Sequence, residues 1–205
     1  MNHLTPGLGH YTNLDELRPA VEQCHQCRLR DTAHGVVFGE GNPAARIVFI
    51  GEGPGAEEDR LLRPFVGRAG RLLDQMLAAM GLDRERNAYI LNIVKCRPPG
   101  NRTPAEDERS ACLPNLDAQL RILAPAIVVL LGSTAVQTLV DPAARITKVR
   151  GQWVQQGARW MMPTYHPAAL LRNPGWKRDA WDDLKRIIDK YRELVDPAHY
   201  SPHYP

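Results

Sequence analysis

Four short apolar runs, separated by stretches with helical patterns, constrain the fold of this chain more than any other feature. The runs cover residues 46–51, 88–92, 126–131 and 160–165. Runs of this length and apolarity are typical of buried parallel strands, and the helical patterns between them predict crossover connections. We therefore expect an α/β fold, a three-layer α/β/α sandwich with a central, mainly parallel four-stranded sheet.

A single domain accounts for the length of 205 residues, of which 43% are hydrophobic. We expect its core at about residues 13–195 and poorly ordered termini, including the tail from Asp196 to Pro205. No apolar run approaches about 18 residues, and the first residues lack the basic and apolar regions of a secretory signal. The sequence therefore predicts a cytoplasmic protein without a membrane partner.

Polar side chains and glycines follow the four predicted strands. In parallel sheets ligands bind beyond the carboxyl ends of the strands. The residues at those ends are a glycine-rich loop at 51–59, Asn92, Gly132–Ser133 and His166. We expect these segments to meet at one edge of the sheet and to form the functional site.

The loop that begins at Gly51 matches the dinucleotide-binding fingerprint only formally. Pro54 stiffens the loop, and the three acids that follow would repel a pyrophosphate. The glycines are expected instead to let the backbone approach a flat ligand, with N–H groups as donors. Glu52 is a candidate functional residue, whereas Glu57 and Asp59 are interpreted as acids that complement a helix N-terminus.

The four cysteines are Cys24, Cys27, Cys96 and Cys112. The first two form a C-x2-C pair, and the turn-rich segment 97–104 can return the other two thiols to one place. In a cytosolic chain such cysteines are more often metal ligands or inert core thiols than disulfides. Zinc and an iron–sulfur cluster both accept four thiolates, and four unrelated thiols are the remaining alternative.

The net charge of +3 hides two basic segments. Residues 60–104 carry nine Lys and Arg against three acids, and residues 145–178 carry seven against none. Both segments flank strand ends, which favours a track for a phosphate backbone over ordinary solvated charge.

Together these segments resemble the family-four uracil-DNA glycosylases, the iron–sulfur branch of that superfamily. Residues 51–59 resemble their first motif, 63–67 the base-stacking segment, 92–98 the second strand and cluster segment, and 166–172 the final motif. The resemblance covers roughly residues 20–190. It implies an enzyme that removes uracil from double- or single-stranded DNA and leaves an abasic site, without a nucleotide cofactor or an active-site metal. We expect a monomer at the nucleoid of a prokaryotic cytoplasm.

The resemblance also implies a 4Fe–4S cluster with a structural role and no redox turnover. The cluster would tie the N-terminal helix to the segment 96–112 beside the DNA track. Its implied ligands are Cys24, Cys27, Cys96 and Cys112.

For the base pocket, the resemblance implies that Phe65 stacks on uracil and that Asn92 reads its Watson–Crick edge. His166 would donate to uracil O2 and stabilise the departing anion. The expected uracil contacts are Gly53, Gly55, Glu58, Phe65, Asn92 and His166.

The attacking water lacks an obvious base, because Gly53 stands where the best-known glycosylase branch has an aspartate. Glu52 is the first candidate for this role and Glu58 the second. Gly55 stands where those relatives have a tyrosine that excludes thymine, and we hypothesise that Glu58 excludes the C5-methyl group instead.

On the DNA side, Leu170 or Leu171 is expected to fill the gap left by the flipped base, with Arg172 at a phosphate. The sequence does not choose between the two leucines. The expected DNA contacts are Arg68, Arg102, Lys148, Arg150, Leu170, Leu171 and Arg172. Two other classes stay open: a module that binds such DNA without turnover, and a zinc-bound α/β nucleotide-binding enzyme.

Overall fold

A six-stranded sheet forms the centre of the computed structural model, which describes residues 7–205. The strand order is β1-β3-β2-β4-β6-β5. The strands are β1 (Glu40–Gly41), β2 (Ile47–Gly51), β3 (Ala88–Asn92), β4 (Ile127–Leu131), β5 (Val154–Gln156) and β6 (Arg159–Thr164).

Helices connect the four parallel strands. The helices are α1 (Leu14–Glu22), α2 (Leu29–Thr32), α3 (Ala56–Leu61), α4 (Arg68–Ala79), α5 (Glu106–Leu123), α6 (Ser133–Leu139), α7 (Ile146–Val149), α8 (Pro167–Arg172) and α9 (Lys177–Leu194), with 3-10 turns at Pro99–Asn101 and Pro174–Trp176. None of the helices within residues 7–205 is long and apolar enough to cross a membrane.

The four predicted strands are β2, β3, β4 and β6, and they pair in parallel as expected. The sheet has six strands rather than four because β1 and β5 add antiparallel edges. These two edge strands are only two and three residues long, too short for a period-two pattern to show in the sequence. The α/β class is confirmed, and the strand count is corrected.

Both faces of the sheet are covered by helices, which explains why its central strands are apolar without interruption. Val48 and Ile50 join one core with α1 and α5. Ile47 and Phe49, on the opposite face of the same strand, join a second core with α4 and α9. The three-layer arrangement follows from this alternation.

The C-terminal tail is packed, so the prediction that it is poorly ordered was wrong. His199 Nε2 donates to the carbonyl of Met80 at 2.7 Å, and Ser201 Oγ donates to that of Ala79 at 2.9 Å. These carbonyls lie at the end of α4, where a helix leaves acceptors without intrahelical partners. The predicted disorder of the extreme N-terminus falls on residues 1–6, which lie outside the described range.

Candidate active site

The ends of β2 and β3 bring three predicted site residues together. Gly51 and Asn92 are paired in the parallel register of the two strands. A Cβ atom on Gly51 would lie 2.5 Å from Phe65 Cζ and 2.6 Å from Asn92 Oδ1. Only glycine therefore lets the aromatic ring and the amide approach this strand end so closely.

Asn92 carries an unsatisfied acceptor inside the protein. The residue is 2% exposed, and no donor within residues 7–205 reaches its Oδ1. An unpaired buried amide oxygen costs free energy that a hydrogen bond from a ligand would recover. The oxygen is therefore available as an acceptor, and the role of Asn92 in base reading stays a prediction.

Lys95 holds the main chain at this strand end. Its Nζ donates to the carbonyl of Asn92 at 2.9 Å, and the residue is 1% exposed. Burial lowers the pKa of Lys95 to about 8. No sequence signal separates this lysine from the other members of its basic segment, so sequence reasoning missed it.

Phe65 occupies a strained turn. Its φ of +53° lies in the left-handed region, which a bulky side chain rarely adopts. Its ring is buried and lies near the imidazole of His166, with centroids 5.5 Å apart and planes inclined at 30°. A Cβ on Gly70 would lie 1.9 Å from the Phe65 carbonyl oxygen, so the turn rests directly on helix α4.

Glu58, in the first turn of α3, binds the segment that follows Phe65. Its Oε1 accepts from the main-chain N–H groups of Val66 at 3.0 Å and Gly67 at 2.8 Å. A Cβ on Gly55 would lie 2.8 Å from Glu58 Oε2, so the glycine leaves room for the carboxylate. This places Glu58 beside the stacking segment, while its effect on thymine stays a prediction.

His166 follows β6 and caps helix α8. The N–H of Ala168 donates to His166 Nδ1 at 3.1 Å, so this nitrogen is the acceptor and the ring proton sits on Nε2. Burial, and then the charge of Arg172, lower the pKa of His166 to about 4. A Cβ on Gly132 would lie 2.9 Å from the His166 Cβ, so the end of β4 adjoins the imidazole.

Glu52 is oriented by a residue from the neighbouring strand end. The hydroxyl of Thr134, near the start of α6, donates to Glu52 Oε2. Gly53 follows, and a Cβ there would lie 2.7 Å from Val94 Cγ2. The glycine loop, the end of β3 and the start of α6 therefore meet, as the strand-end rule predicts. Thr134 was missed, although its place just after a strand was a usable signal.

The two leucines of the predicted wedge differ sharply. Leu170 is 2% exposed and belongs to the core that α4 and α9 share. Leu171 is 37% exposed. Arg172 ends the same helix. Of the two side chains, only that of Leu171 is free to enter a duplex without disrupting the core.

Apart from Arg172 at the end of α8, the basic side chains predicted to contact DNA fall into two kinds. Arg68 and Lys148 are exposed, and neither forms an ion pair with any residue of the described chain. Arg102 is bound by the buried Glu108 at 2.7 Å. Arg150 is bound by the buried Asp183 at 2.7 Å. The last two therefore bind buried carboxylates, although the Arg102 side chain stays 42% exposed, and their contacts with DNA stay a prediction.

The four thiols line one cavity, between α1, the end of β3 and α5. Two N–H donors point at sulfur. The main-chain N–H of Lys95 lies 3.3 Å from Cys112 Sγ, and Asn115 Nδ2 lies 3.6 Å from Cys24 Sγ. Across residues 7–205, no three His, Cys, Asp or Glu side chains form a group that could hold a metal ion. The thiols surround a cavity instead of converging on one point.

Glu108 fixes the two cysteine segments relative to each other. It accepts from Arg28, which follows Cys27, and from Arg102, in the turn between Cys96 and Cys112, each at 2.7 Å. These hydrogen bonds, Arg102 first, lower the pKa of Glu108 to about 2. In the sequence Glu108 is only one acid in the first turn of a helix, and nothing there predicts its bonds to Arg28 and Arg102.

The fold and the site define an α/β protein in which the ends of parallel strands bring together the Phe65 ring, the unpaired oxygen of Asn92 and the imidazole of His166. The model of the uracil DNA glycosylase superfamily matches residues 38–185. The chain is 48% identical over 172 residues to a type-4 uracil-DNA glycosylase of Thermotoga maritima, covering 82% of this chain and 85% of the relative. It is 42% identical over 202 residues to one of Sulfurisphaera tokodaii, covering 94% of this chain and 90% of the relative. The chain belongs to the type-4 uracil-DNA glycosylases, which confirms the resemblance seen in the sequence.

Proposed function

We propose that this chain flips uracil out of DNA and hydrolyses its N-glycosidic bond, leaving an abasic site and initiating base excision repair. The observation that carries the proposal is the buried Asn92 amide with an unpaired oxygen, packed beside the Phe65 ring at a strand end. The names of the relatives, type-4 uracil-DNA glycosylases, support the same reaction.

Base recognition rests on the amide of Asn92. Its Oδ1 accepts from uracil N3–H, and its Nδ2 donates to uracil O4. Cytosine presents the reverse pattern at these two positions, so it would leave the buried amide unpaired. Phe65 stacks on the face of the base, and the backbone at Gly53 and Gly55 approaches the pocket closely.

Bond cleavage builds negative charge on uracil and positive charge on the sugar. The neutral imidazole of His166 donates from Nε2 to uracil O2 and stabilises the departing anion. One donor of this kind lowers a barrier by about 3–4 kcal/mol. Flipping the base out of the duplex costs a few kcal/mol, because stacking and pairing are lost. The cost is lower at a U·G mispair or in a single strand.

Glu52 positions the attacking water. Its carboxylate is held by the Thr134 hydroxyl at the neighbouring strand end, which supports a fixed orientation toward the pocket. In Glu58, the second candidate, one carboxylate oxygen already accepts hydrogen bonds from the main chain of the stacking segment. The first candidate is therefore preferred.

The structural cofactor proposed is a 4Fe–4S cluster on Cys24, Cys27, Cys96 and Cys112. A shared cavity and two N–H donors to sulfur suit a cluster, whose thiolates are commonly hydrogen-bonded. When bound, the cluster supplies a cross-link between chain segments, and hydrolysis of the glycosidic bond uses none of its redox chemistry.

DNA contacts are assigned to exposed side chains of the predicted set. Leu171 fills the gap left by the flipped base, and Arg68, Lys148 and Arg172 bind phosphates. The protein acts as a monomer on double- or single-stranded DNA at the nucleoid of a prokaryotic cytoplasm.

A glycosylase assay tests the proposal. Oligonucleotides with U·G, U·A, T·G and hypoxanthine pairs, and single-stranded uracil, are incubated with the wild type, His166→Ala and Asn92→Ala. Alkali then cleaves the abasic product. We expect multiple turnover on uracil and losses of at least about 100-fold in both variants. His10→Ala, which removes an exposed imidazole, is the control and should keep full activity.

Two outcomes contradict the proposal. Full activity in both variants overturns the assigned site. Tight binding of uracil-containing DNA by the wild type without turnover overturns the reaction and favours a binding module.

A further inference from the structure

Arg84 contacts the main chain of the stacking segment from the loop between α4 and β3. Its Nη1 donates to the carbonyl of Pro64 at 3.0 Å, and its Nη2 donates to the carbonyl of Phe65 at 3.0 Å. The side chain is 12% exposed. Nothing in the local sequence predicts these bonds, because they join residues 19 and 20 positions apart in an irregular region.

Two carboxylates hold the guanidinium of Arg84 in place. Asp74 Oδ1, on α4, lies 2.6 Å from Nη2, and Glu40 Oε1, on the edge strand β1, lies 3.4 Å from Nη1. Arg63 binds the same Glu40 carboxylate with two contacts of 2.7 Å, and this hydrogen bonding lowers the pKa of Glu40. The planar fork of Arg84 is thus oriented before it meets the carbonyls.

Phe65 needs such support because of its backbone conformation. A left-handed φ in a bulky residue costs about 1–3 kcal/mol and persists only where the surroundings impose it. Glu58 accepts the N–H groups that follow the ring, and Arg84 donates to the carbonyls of the turn itself. Gly70 leaves room for the carbonyl between them. The turn that carries the stacking ring is therefore held from both sides by charged groups, Glu58 and Arg84.

We propose that Arg84 is a positioning residue for uracil excision, acting through Phe65 and without touching the substrate. The inference rests on the proposed function. Without Arg84 the strained turn relaxes and the ring leaves its stacking position. Stacking acts on the bound base before and after cleavage, so its loss weakens the binding of both substrate and free uracil.

The experiment compares Arg84→Met and Arg84→Lys with Arg86→Met. Arg86 is an exposed arginine two positions on, paired with Asp83, and serves as the control. We expect Arg84→Met to raise KM and the inhibition constant of free uracil by at least tenfold each, with kcat within about threefold of the wild type. Arg84→Lys should recover only part of the lost binding, because its single ammonium cannot reproduce the two guanidinium donors that bind the Pro64 and Phe65 carbonyls. The control should behave as the wild type.

A double-mutant cycle with Phe65→Ala separates positioning from a general effect on the fold. If Arg84 acts through the ring, Arg84→Met adds nothing to the loss in Phe65→Ala. Additive losses, or wild-type inhibition by uracil in Arg84→Met, overturn the positioning role. Should Arg84→Met unfold, the same criteria apply to Arg84→Lys. A wild type that releases no uracil overturns the proposed function and this role with it, whereas an active wild type with an unaffected Arg84→Met overturns this role alone.

Discussion

The main-chain N–H of Ala168 donates to Nδ1 of His166 across 3.1 Å. This bond leaves Nε2 as the protonated nitrogen, directed away from the start of α8. A second proton on Nδ1 would face an N–H donor and break the contact. Burial opposes the same protonation and lowers the pKa of His166 to about 4. The imidazole is therefore a neutral donor over the whole physiological range.

The first prediction concerns the pH dependence of the chemical step. Single-turnover rates should stay level through pH 6.5, where an ordinary histidine titrates, and should fall only near pH 4 as His166 gains its second proton. An NMR titration of the imidazole, assigned with His166→Gln, gives the pKa and the tautomer directly. A titration midpoint near 6.5, or a proton on Nδ1 at neutral pH, would contradict this assignment.

The same pKa difference predicts a pH-dependent stability. The unfolded chain binds a proton at His166 below about pH 6.5, whereas the folded chain does so only below about 4. Between these values the unfolded state binds more protons, so the free energy of unfolding falls as the pH decreases from 6.5 to 4. Denaturant unfolding of the wild type and His166→Gln across this window measures the effect. The wild type should lose more stability than the variant, and parallel curves would refute the expectation.

Leu170 and Leu171 should separate stability from DNA distortion. Leu170→Ala should destabilise the protein by about 2–5 kcal/mol, because it leaves a cavity in the core. Leu171→Ala should change stability by less than about 0.5 kcal/mol. It should slow uracil release from a U·A duplex about tenfold and from a single strand little, because only the duplex has a gap to fill. Thermal unfolding measures the stability of the two variants, and uracil release is measured on the duplex and on the single strand. If Leu170→Ala alone slowed release from the duplex, the wedge would be Leu170.

Arg150 and Lys148 form a second matched pair. Arg150→Ala leaves the buried Asp183 without its cation, which should cost about 3 kcal/mol of stability. Lys148→Ala should leave stability unchanged and should reduce the slope of log affinity against log salt by about one. Unfolding and DNA titrations at several salt concentrations distinguish the two. If Arg150→Ala lost as much DNA affinity as Lys148→Ala and kept its stability, Arg150 would be a phosphate contact after all.

The sequence predicted those parts of the molecule that are repeated or periodic. The four parallel strands were visible as apolar runs, and the strand-end rule placed Asn92 and His166 in one site. The packed tail was not predicted, because its bonds from His199 and Ser201 go to a helix end about 120 residues away. The choice between Leu170 and Leu171 depends on which face of α8 packs against the core. A helix of six residues is too short for a periodic pattern to predict that face.

The charged contacts escaped prediction for a related reason. Arg84, Arg102 and Arg150 look alike in the sequence, as members of two basic segments. In the structure each binds a carboxylate, and those of Arg102 and Arg150 are buried. Charge composition therefore could not separate arginines that hold buried carboxylates from basic side chains without an ion pair in the described chain, such as Arg68 and Lys148.

The thiol cavity gives the last prediction, on metal content. Protein purified without oxygen should contain about four irons per chain and show broad visible absorbance that acid removes, as expected of a cluster on four thiolates. Cys112→Ser should lose most of this iron and lower the melting temperature, because segments 24–27 and 96–112 are then no longer cross-linked through metal. Glu108→Gln keeps all four thiols but weakens the ion pairs of Arg28 and Arg102, so it should retain iron at first and lose it faster to a chelator. One zinc per chain in place of iron would contradict the cluster, and unchanged iron in Cys112→Ser would remove that thiol from the ligand set.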